Sequence, residues 1–310
     1  LKEAVALREP VLIFGDSDVD GITSTAILYE VLSSSGVQVR VRLSNRIEDG
    51  YGLAESAVRQ ILRSAIRLLV VVDCGTNQPQ EIRRLAAAGI DTIVVDHHLP
   101  LEPHAAPLAL INPHAAAGPG RELCSAGLAL KVAQAMLGSE APRRLAAYLD
   151  LAALGTLADY VPLLEESRAI AAAGLPRILH TCRPGLARLC EATGTQRPTT
   201  EHVIRRLVPR LNAFGRLGDP TTAWHLLLDQ SDERLEGWLA ESEGAHQTTK
   251  ALHNRILGEA QEQVSRLHFR DQFVLVVSRT GWHQGLMGPL ASQLTARFGR
   301  PAIALAMDRA

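Results

Sequence analysis

Short aliphatic runs separated by helix-like segments constrain this chain more than any other feature. Residues 12–15, 68–72, 92–95 and 108–111 are apolar stretches of strand length. Between them, residues 22–32, 53–62 and 81–88 carry apolar side chains at helical spacing. Residues 37–43 alternate apolar and basic residues, as a half-exposed strand does. Runs without polar alternation suit strands covered on both faces. Strands alternating with helices imply an α/β fold, a mostly parallel sheet flanked by helices. Ligands of such sheets bind beyond the carboxyl ends of the strands.

Three of these runs end on acidic residues. The first opens into Asp16-Ser17-Asp18-Val19-Asp20-Gly21, the second stops at Asp73, and the third at Asp96-His97-His98. Asp16, Asp18 and Asp20 alternate, so on a strand they share a side and in a turn they crowd together. Carboxylates so placed repel one another unless a cation intervenes. A capping turn explains one such Asp, but not three before a glycine. Gly21 opens a helix whose first amides favour an anion such as phosphate. Asp73 alone could simply end a strand; beside the first cluster it could bridge two ions. After Asp96, one imidazole can bind metal while the other faces substrate. A further carboxylate can come from Asp150 or Asp159. They are nine residues apart, half a rotation on a helix, so only one can face the site. Asp159 is preferred because it ends the helical run, which leaves Asp150 an ordinary helix residue.

Carboxylate and imidazole ligands without thiolate suit Mn²⁺ or Mg²⁺ better than structural zinc. Two such ions about 3.5–4 Å apart could generate hydroxide and stabilise in-line displacement at phosphorus. The cysteines, at 74, 124, 182 and 190, form no C-x-x-C pair and read as reduced cytosolic thiols. Cys74 touches the proposed site in sequence and reads as a small neutral neighbour. A net charge of −1 argues against a protein that coats nucleic acid, but not against one with a basic groove. No apolar stretch nears the roughly 20 residues of a membrane span. No signal peptide is evident, and a start at Leu1-Lys2-Glu3 suggests a piece of a longer chain.

Farther on, residues 142–180 read as mostly helical. Residues 231–267 read as one long, largely solvated helix that could span two domains. Strands at 273–277 and 302–306, a glycine-punctuated turn at 281–288 and a helix at 290–298 suggest a second α/β unit. The division expected is 1–228, 229–267 and 268–310.

These residues resemble the DHH phosphoesterase superfamily, whose four motifs match Asp18-Val19-Asp20, Asp73, Asp96-His97-His98 and Asp159 in order. Within it the chain is similar to the RecJ single-strand-specific exonucleases. Further matching blocks are Asn45-Arg46-Ile47-Glu48-Asp49-Gly50-Tyr51-Gly52, Pro209-Arg210-Leu211-Asn212-Ala213-Phe214-Gly215-Arg216-Leu217 and Trp282-His283-Gln284-Gly285-Leu286-Met287-Gly288. The resemblance implies a DHH domain, a connecting helix and a DHHA1-type domain. It implies 5′→3′ degradation of single-stranded DNA to mononucleotides with two Mn²⁺ or Mg²⁺ ions. It implies Asp16, Asp18, Asp20, Asp73, His97 and Asp159 as metal ligands, with His98 at the scissile phosphate. Asp73, Asp96 and His98 form the expected catalytic group. Single-strand-binding protein and a helicase are the partners implied, in the cytoplasm, without a membrane. Some members carry His where this chain has Phe14, so Asp16 has to replace that ligand. Members also continue beyond position 310.

On the substrate side, Arg210, Asn212 and Arg216 are expected in a Gly/Pro-containing loop, where guanidinium groups can grip phosphates. Pairing with nearby carboxylates is the plain alternative. Tyr51, between two glycines, can stack on a base or simply cover the core. His283 can face the cleft or be an ordinary turn residue. Trp282 reads as core, as do Trp224 and Trp238. Aromatic residues are only 4% of the chain, which does not suggest a broad stacking surface. Two other functions fit the same fold: a small-substrate phosphodiesterase or phosphatase, and a non-catalytic DNA-binding scaffold. No G-x-G-x-x-G or G-x-x-x-x-G-K-[ST] supports a dinucleotide or P-loop enzyme.

Overall fold

The computed structural model describes residues 1–115, 118, 120–267 and 273–307. Five strands form the main sheet: β1 (Val11–Gly15), β2 (Val39–Leu43), β3 (Leu68–Val72), β4 (Asp91–Val95) and β5 (Ala109–Ile111). Their order is β2-β1-β3-β4-β5, and every neighbouring pair is parallel. β1 and β3 are buried along their whole length, which is why they lack polar alternation.

The register carries the site. Gly15 lies opposite Val72, and Val72 opposite Val95. Asp16, Asp73 and Asp96 therefore leave three adjacent strands on one line. Their amides close the ladder onto Val72, Val95 and Ile111 respectively.

Helices cover both faces. On one, Val19–Ser34, Ser125–Leu137 and Leu149–Ala158 share a core with the inward residues of β1 and β3. On the other, Glu55–Leu62 and Pro79–Ala87 bury Val58, Ile61, Ile82 and Leu85 against Phe14, Leu69 and Val71. The first long helix begins at Val19 rather than residue 22, because the Asp18 carboxylate caps it, accepting from the Asp20 and Gly21 amides at 3.1 Å each.

Residues 209–217 are not the expected loop. They lie in the helix Val208–Leu217. That helix is entered directly through a π-helical stretch, Val203–Leu207, just before Pro209, which has no amide to donate. Gly215 is present for proximity: a Cβ there would lie 2.3 Å from the Ser17 carbonyl oxygen.

The helix Asp232–Ser265 runs 34 residues, about 50 Å at the usual rise. Leu235 packs into the first core and Ile256, Ala260 and Val264 into a second. That second core holds Trp282, Leu286, Leu290 and Leu294 under two parallel strands, β6 (Leu275–Thr280) and β7 (Ala302–Met307). Residues 268–272 and 308–310, within the expected third segment, lie outside the described residues. No helix among those described is long and apolar enough to cross a membrane.

Candidate metal centre

The site lies at the carboxyl ends of β1, β3 and β4 and is completed by two helices. His97 Nε2 is 3.8 Å from Asp20 Oδ2, 3.5 Å from Asp73 Oδ1 and 3.5 Å from Asp159 Oδ2. Three overlapping groupings have ligand atoms within 4.8 Å of one another: Asp16–Asp18–Asp73, Asp73–His97–His98 and Asp20–His97–Asp159. All six expected ligands are thus brought together, and Asp73 belongs to two groupings. It is buried and has a left-handed backbone, φ 62°, unusual for a residue other than glycine.

Close packing makes this convergence possible. Gly155, in the Leu149–Ala158 helix, lies where a Cβ would be 2.9 Å from Asp20 Oδ1 and 2.5 Å from the Ala126 Cβ. The helix can therefore deliver Asp159 beside Asp20. Asp150 points away. It is not an ordinary helix residue but a buried partner of Arg183, whose Nε is 3.2 Å away and whose fork also grips Glu30 at 2.6 and 2.7 Å.

Electrostatics show what the cluster lacks. Burial, then the charges of Asp20, Asp18, Asp16 and Asp96, push the Asp73 carboxyl well above the usual range. Burial and the charges of Asp20 and Asp18 raise Asp159 to about 8. Burial also raises Asp20, although His97 and backbone donors oppose it. Burial and mutual repulsion thus work against ionisation of these hard oxygen donors, and positive charge between them relieves both. A divalent cation fits this donor set. Arg46 supplies part of that charge, bonding both Asp16 and Asp18, the latter at 3.0 Å. Burial opposes ionisation of Asp18, but Arg46 together with the Gly21 amide holds that carboxyl below the usual range. Ser44 donates to the other Asp16 oxygen at 2.7 Å.

Asp96 does not present a free carboxylate to the cleft. Oδ1 accepts from the His97 and His98 amides and lies 2.7 Å from His98 Nδ1, while Oδ2 accepts from the Thr76 amide. These contacts hold the His97–His98 loop and align the His98 ring. Burial opposes ionisation of Asp96, but His98 and Thr76 prevail and bring it down to about 2. The same hydrogen bond raises His98 to about 9. Asn112 ties the loop down, donating to the His98 carbonyl and the Thr76 hydroxyl at 2.9 Å each.

A cleft of about 320 Å³ opens over the cluster, with Tyr51, Asn77, Cys74 and His98 in its walls. Burial pushes the Cys74 thiol up, so it stands as a neutral wall. Tyr51 is exposed at the rim, and Arg46 lies over its ring. Asn212 accepts from the Val19 amide at 2.9 Å and reaches a small gap beside Asp18, Asp20 and Asp159. With Arg216 it also lines a second cavity of about 250 Å³, shared with Tyr160, His246, Lys250 and His253.

Arg210 and His283 line neither cavity. Arg210 pairs with Glu243 at 2.7 Å and bonds the Arg206 carbonyl. His283 uses its ring to accept from the Gly285 amide. Trp282 is core, its indole donating to Glu259. Two further residues of the cluster, Arg46 and Ser125, are not singled out by the sequence. Arg46 lies inside a matching block, whereas Ser125 opens a helix with no signal of its own.

A DHH family N-terminal domain model matches residues 10–156. The chain belongs to the DHH family. Its similarity within that family runs to RecJ. It is 37% identical over 312 residues to the single-stranded-DNA-specific exonuclease RecJ of Bacillus subtilis, covering 99% of this chain and 39% of that protein. The structure of an exonuclease RecJ bound to manganese matches with a TM-score of 0.87 at 31% identity, over 98% of this chain and 79% of that one. RecJ from Thermus thermophilus in complex with Mn²⁺ also gives 0.87, at 29% identity, over 98% of this chain and 44% of that one. The chain spans 39–57% of the length of the curated relatives it matches.

Proposed function

We propose that this chain carries the metal centre of a single-strand-specific DNA exonuclease that works 5′→3′ and releases 5′ mononucleotides in repair and recombination. One observation carries the reading: Asp20, Asp73 and Asp159, from three separate elements, meet within 3.8 Å of one imidazole nitrogen. The similarity to RecJ proteins supports the substrate and the polarity.

In this reading Asp16, Asp18 and Asp73 hold one ion, and Asp20, His97 and Asp159 the other. Two bound Mn²⁺ or Mg²⁺ ions would supply an activated hydroxide and charge compensation at phosphorus. His98, aligned by Asp96, presents Nε2 to the cleft, where it can donate to a phosphate or leaving-group oxygen. Asn212 commits its carbonyl oxygen to the Val19 amide, which turns its NH₂ donors to the chain's substrate side. Arg216 contributes positive charge beside it, and Tyr51 offers a ring at the rim. Arg210 and His283 act as supports in the geometry described, not as phosphate contacts.

The three-part division, with a DHH domain at 1–228, a connecting helix at 229–267 and a DHHA1-type unit from 268, belongs to the same reading. The separate core beneath β6 and β7 supports it. A cytoplasmic setting goes with four unpaired cysteines. Single-strand-binding protein and a helicase are partners suggested by family resemblance alone.

The test is digestion of 5′- and 3′-labelled single-stranded DNA with Mn²⁺, using the chain and Asp73→Ala. Stepwise release of 5′ mononucleotides, abolished in the folded variant, is the expected result. Full turnover by Asp73→Ala would refute the assignment of Asp73 as a metal ligand. Cleavage of dinucleotides alone would replace the exonuclease with a small-substrate phosphodiesterase.

A further inference from the structure

The helix Ser125–Leu137 begins inside the carboxylate cluster. Its first two amides, from Ser125 and Ala126, donate to the two Asp20 oxygens at 2.8 Å each. The Ser125 side chain goes elsewhere. Its Oγ donates to Asp73 Oδ1 at 2.9 Å. Ser125 is fully buried and does not cap its own helix, whose N-cap residue is Cys124. Its hydroxyl thus serves a carboxylate 52 positions away in the chain.

A fixed donor on one carboxylate oxygen sets the direction of the other. Outer partners of this kind orient metal ligands and tune their affinity. Ser125 supplies Asp73 with a fixed donor of the kind that backbone amides supply to Asp96. We propose that Ser125 is the positioning residue for Asp73, fixing the orientation of its carboxylate toward the ions and joining Asp73 and Asp20 into one rigid unit. The proposal rests on the reading of the cluster as a metal centre.

Mn²⁺ titration calorimetry tests it, together with thermal unfolding in EDTA. The proteins are the parent chain, Ser125→Ala, Ser125→Cys, Asp73→Asn and Asp73→Asn/Ser125→Ala. The cysteine variant keeps the volume without a strong donor, so it reads the same loss should alanine disturb packing. Both Ser125 variants should unfold near the parent temperature in EDTA and bind Mn²⁺ about 10–100-fold more weakly. In the Asp73→Asn background the Asp20–His97–Asp159 grouping remains for titration, and Ser125→Ala should cause no further loss. Parent-like affinity in both Ser125 variants overturns the proposal while leaving the metal centre standing. An equal loss without Asp73 also overturns it, since Ser125 would then act by another route. A parent chain that binds no Mn²⁺ overturns the metal centre and the proposal together.

Discussion

His98 and Asp96 show how one bond divides two neighbouring residues into different roles. Asp96 commits both oxygens to the loop that carries His98, and the imidazole lines the cleft. Replacing His98 by alanine should lower kcat by about 10²–10⁴-fold, the usual contribution of a positioned acid or base. Circular dichroism should be unchanged. Steady-state kinetics on a labelled oligonucleotide reads the loss, and a variant with parental kcat would remove His98 from the chemistry. At this scale the acids are legible in the sequence, because buried strands put their terminal residues in register. The setting of Arg210 is not, since no sequence pattern shows that Glu243, 33 positions on, takes its charge. Asp96 lies at the cluster as the sequence suggests, but its donors are mostly backbone amides, which no sequence pattern reveals.

Two supporting elements make separate predictions. Arg183, 3% exposed, ties the Val19–Ser34 helix through Glu30 to the Leu149–Ala158 helix through Asp150. Arg183→Ala leaves the buried Asp150 charge with only the neutral donors of Thr181 and Leu151 and should cost about 3–5 kcal/mol in urea unfolding. A change below about 1 kcal/mol, the range of a surface pair, would show that the triad is solvated. The segment carrying Arg46 and Tyr51 is held by Asp49. Burial opposes ionisation there, but donors from Ser56, Arg42 and the Asn45 amide win and hold the carboxyl below its usual value. The charged form stabilises the fold above the unfolded-state value, and that stabilisation disappears as pH falls through the lower folded value. Asp49→Asn should therefore be less stable than the parent at neutral pH, with the gap closing in acid. Denaturant midpoints across pH measure it, and a pH-independent gap would contradict the assignment. Strands are the most legible elements. The 209–217 segment reads as a loop in sequence because its proline and glycine, which here follow a π-helical stretch and permit a close crossing, are also the residues of turns.

For the molecule as a whole, two cores are joined by one 34-residue helix, and the metal centre sits wholly in the first. Ion binding should therefore stabilise the first core before the second. At 100 times its Kd, Mn²⁺ should add about 2.7 kcal/mol to the metal-bound state. Calorimetric scans with Mn²⁺ and with EDTA read the shift, and its absence would mean that no ion is held in the folded state. The long helix and the second unit are visible as patterns. Their seating is not: Gln284 donates to the Ile47 carbonyl across 237 positions, and Gly285 lies where a Cβ would be 2.1 Å from the Arg216 oxygen. Such contacts depend on three-dimensional docking and leave no periodic trace.

The shared alignment of Gly15, Val72 and Val95 also bears on how such a chain can change over generations. Inserting or deleting a single residue inside β3 would swing Asp73 to the opposite side of the sheet, whereas added length in a connecting turn leaves the set of metal-facing side chains intact. Variation in the lineage should therefore accumulate in the turns, with the lengths of β1, β3 and β4 held constant.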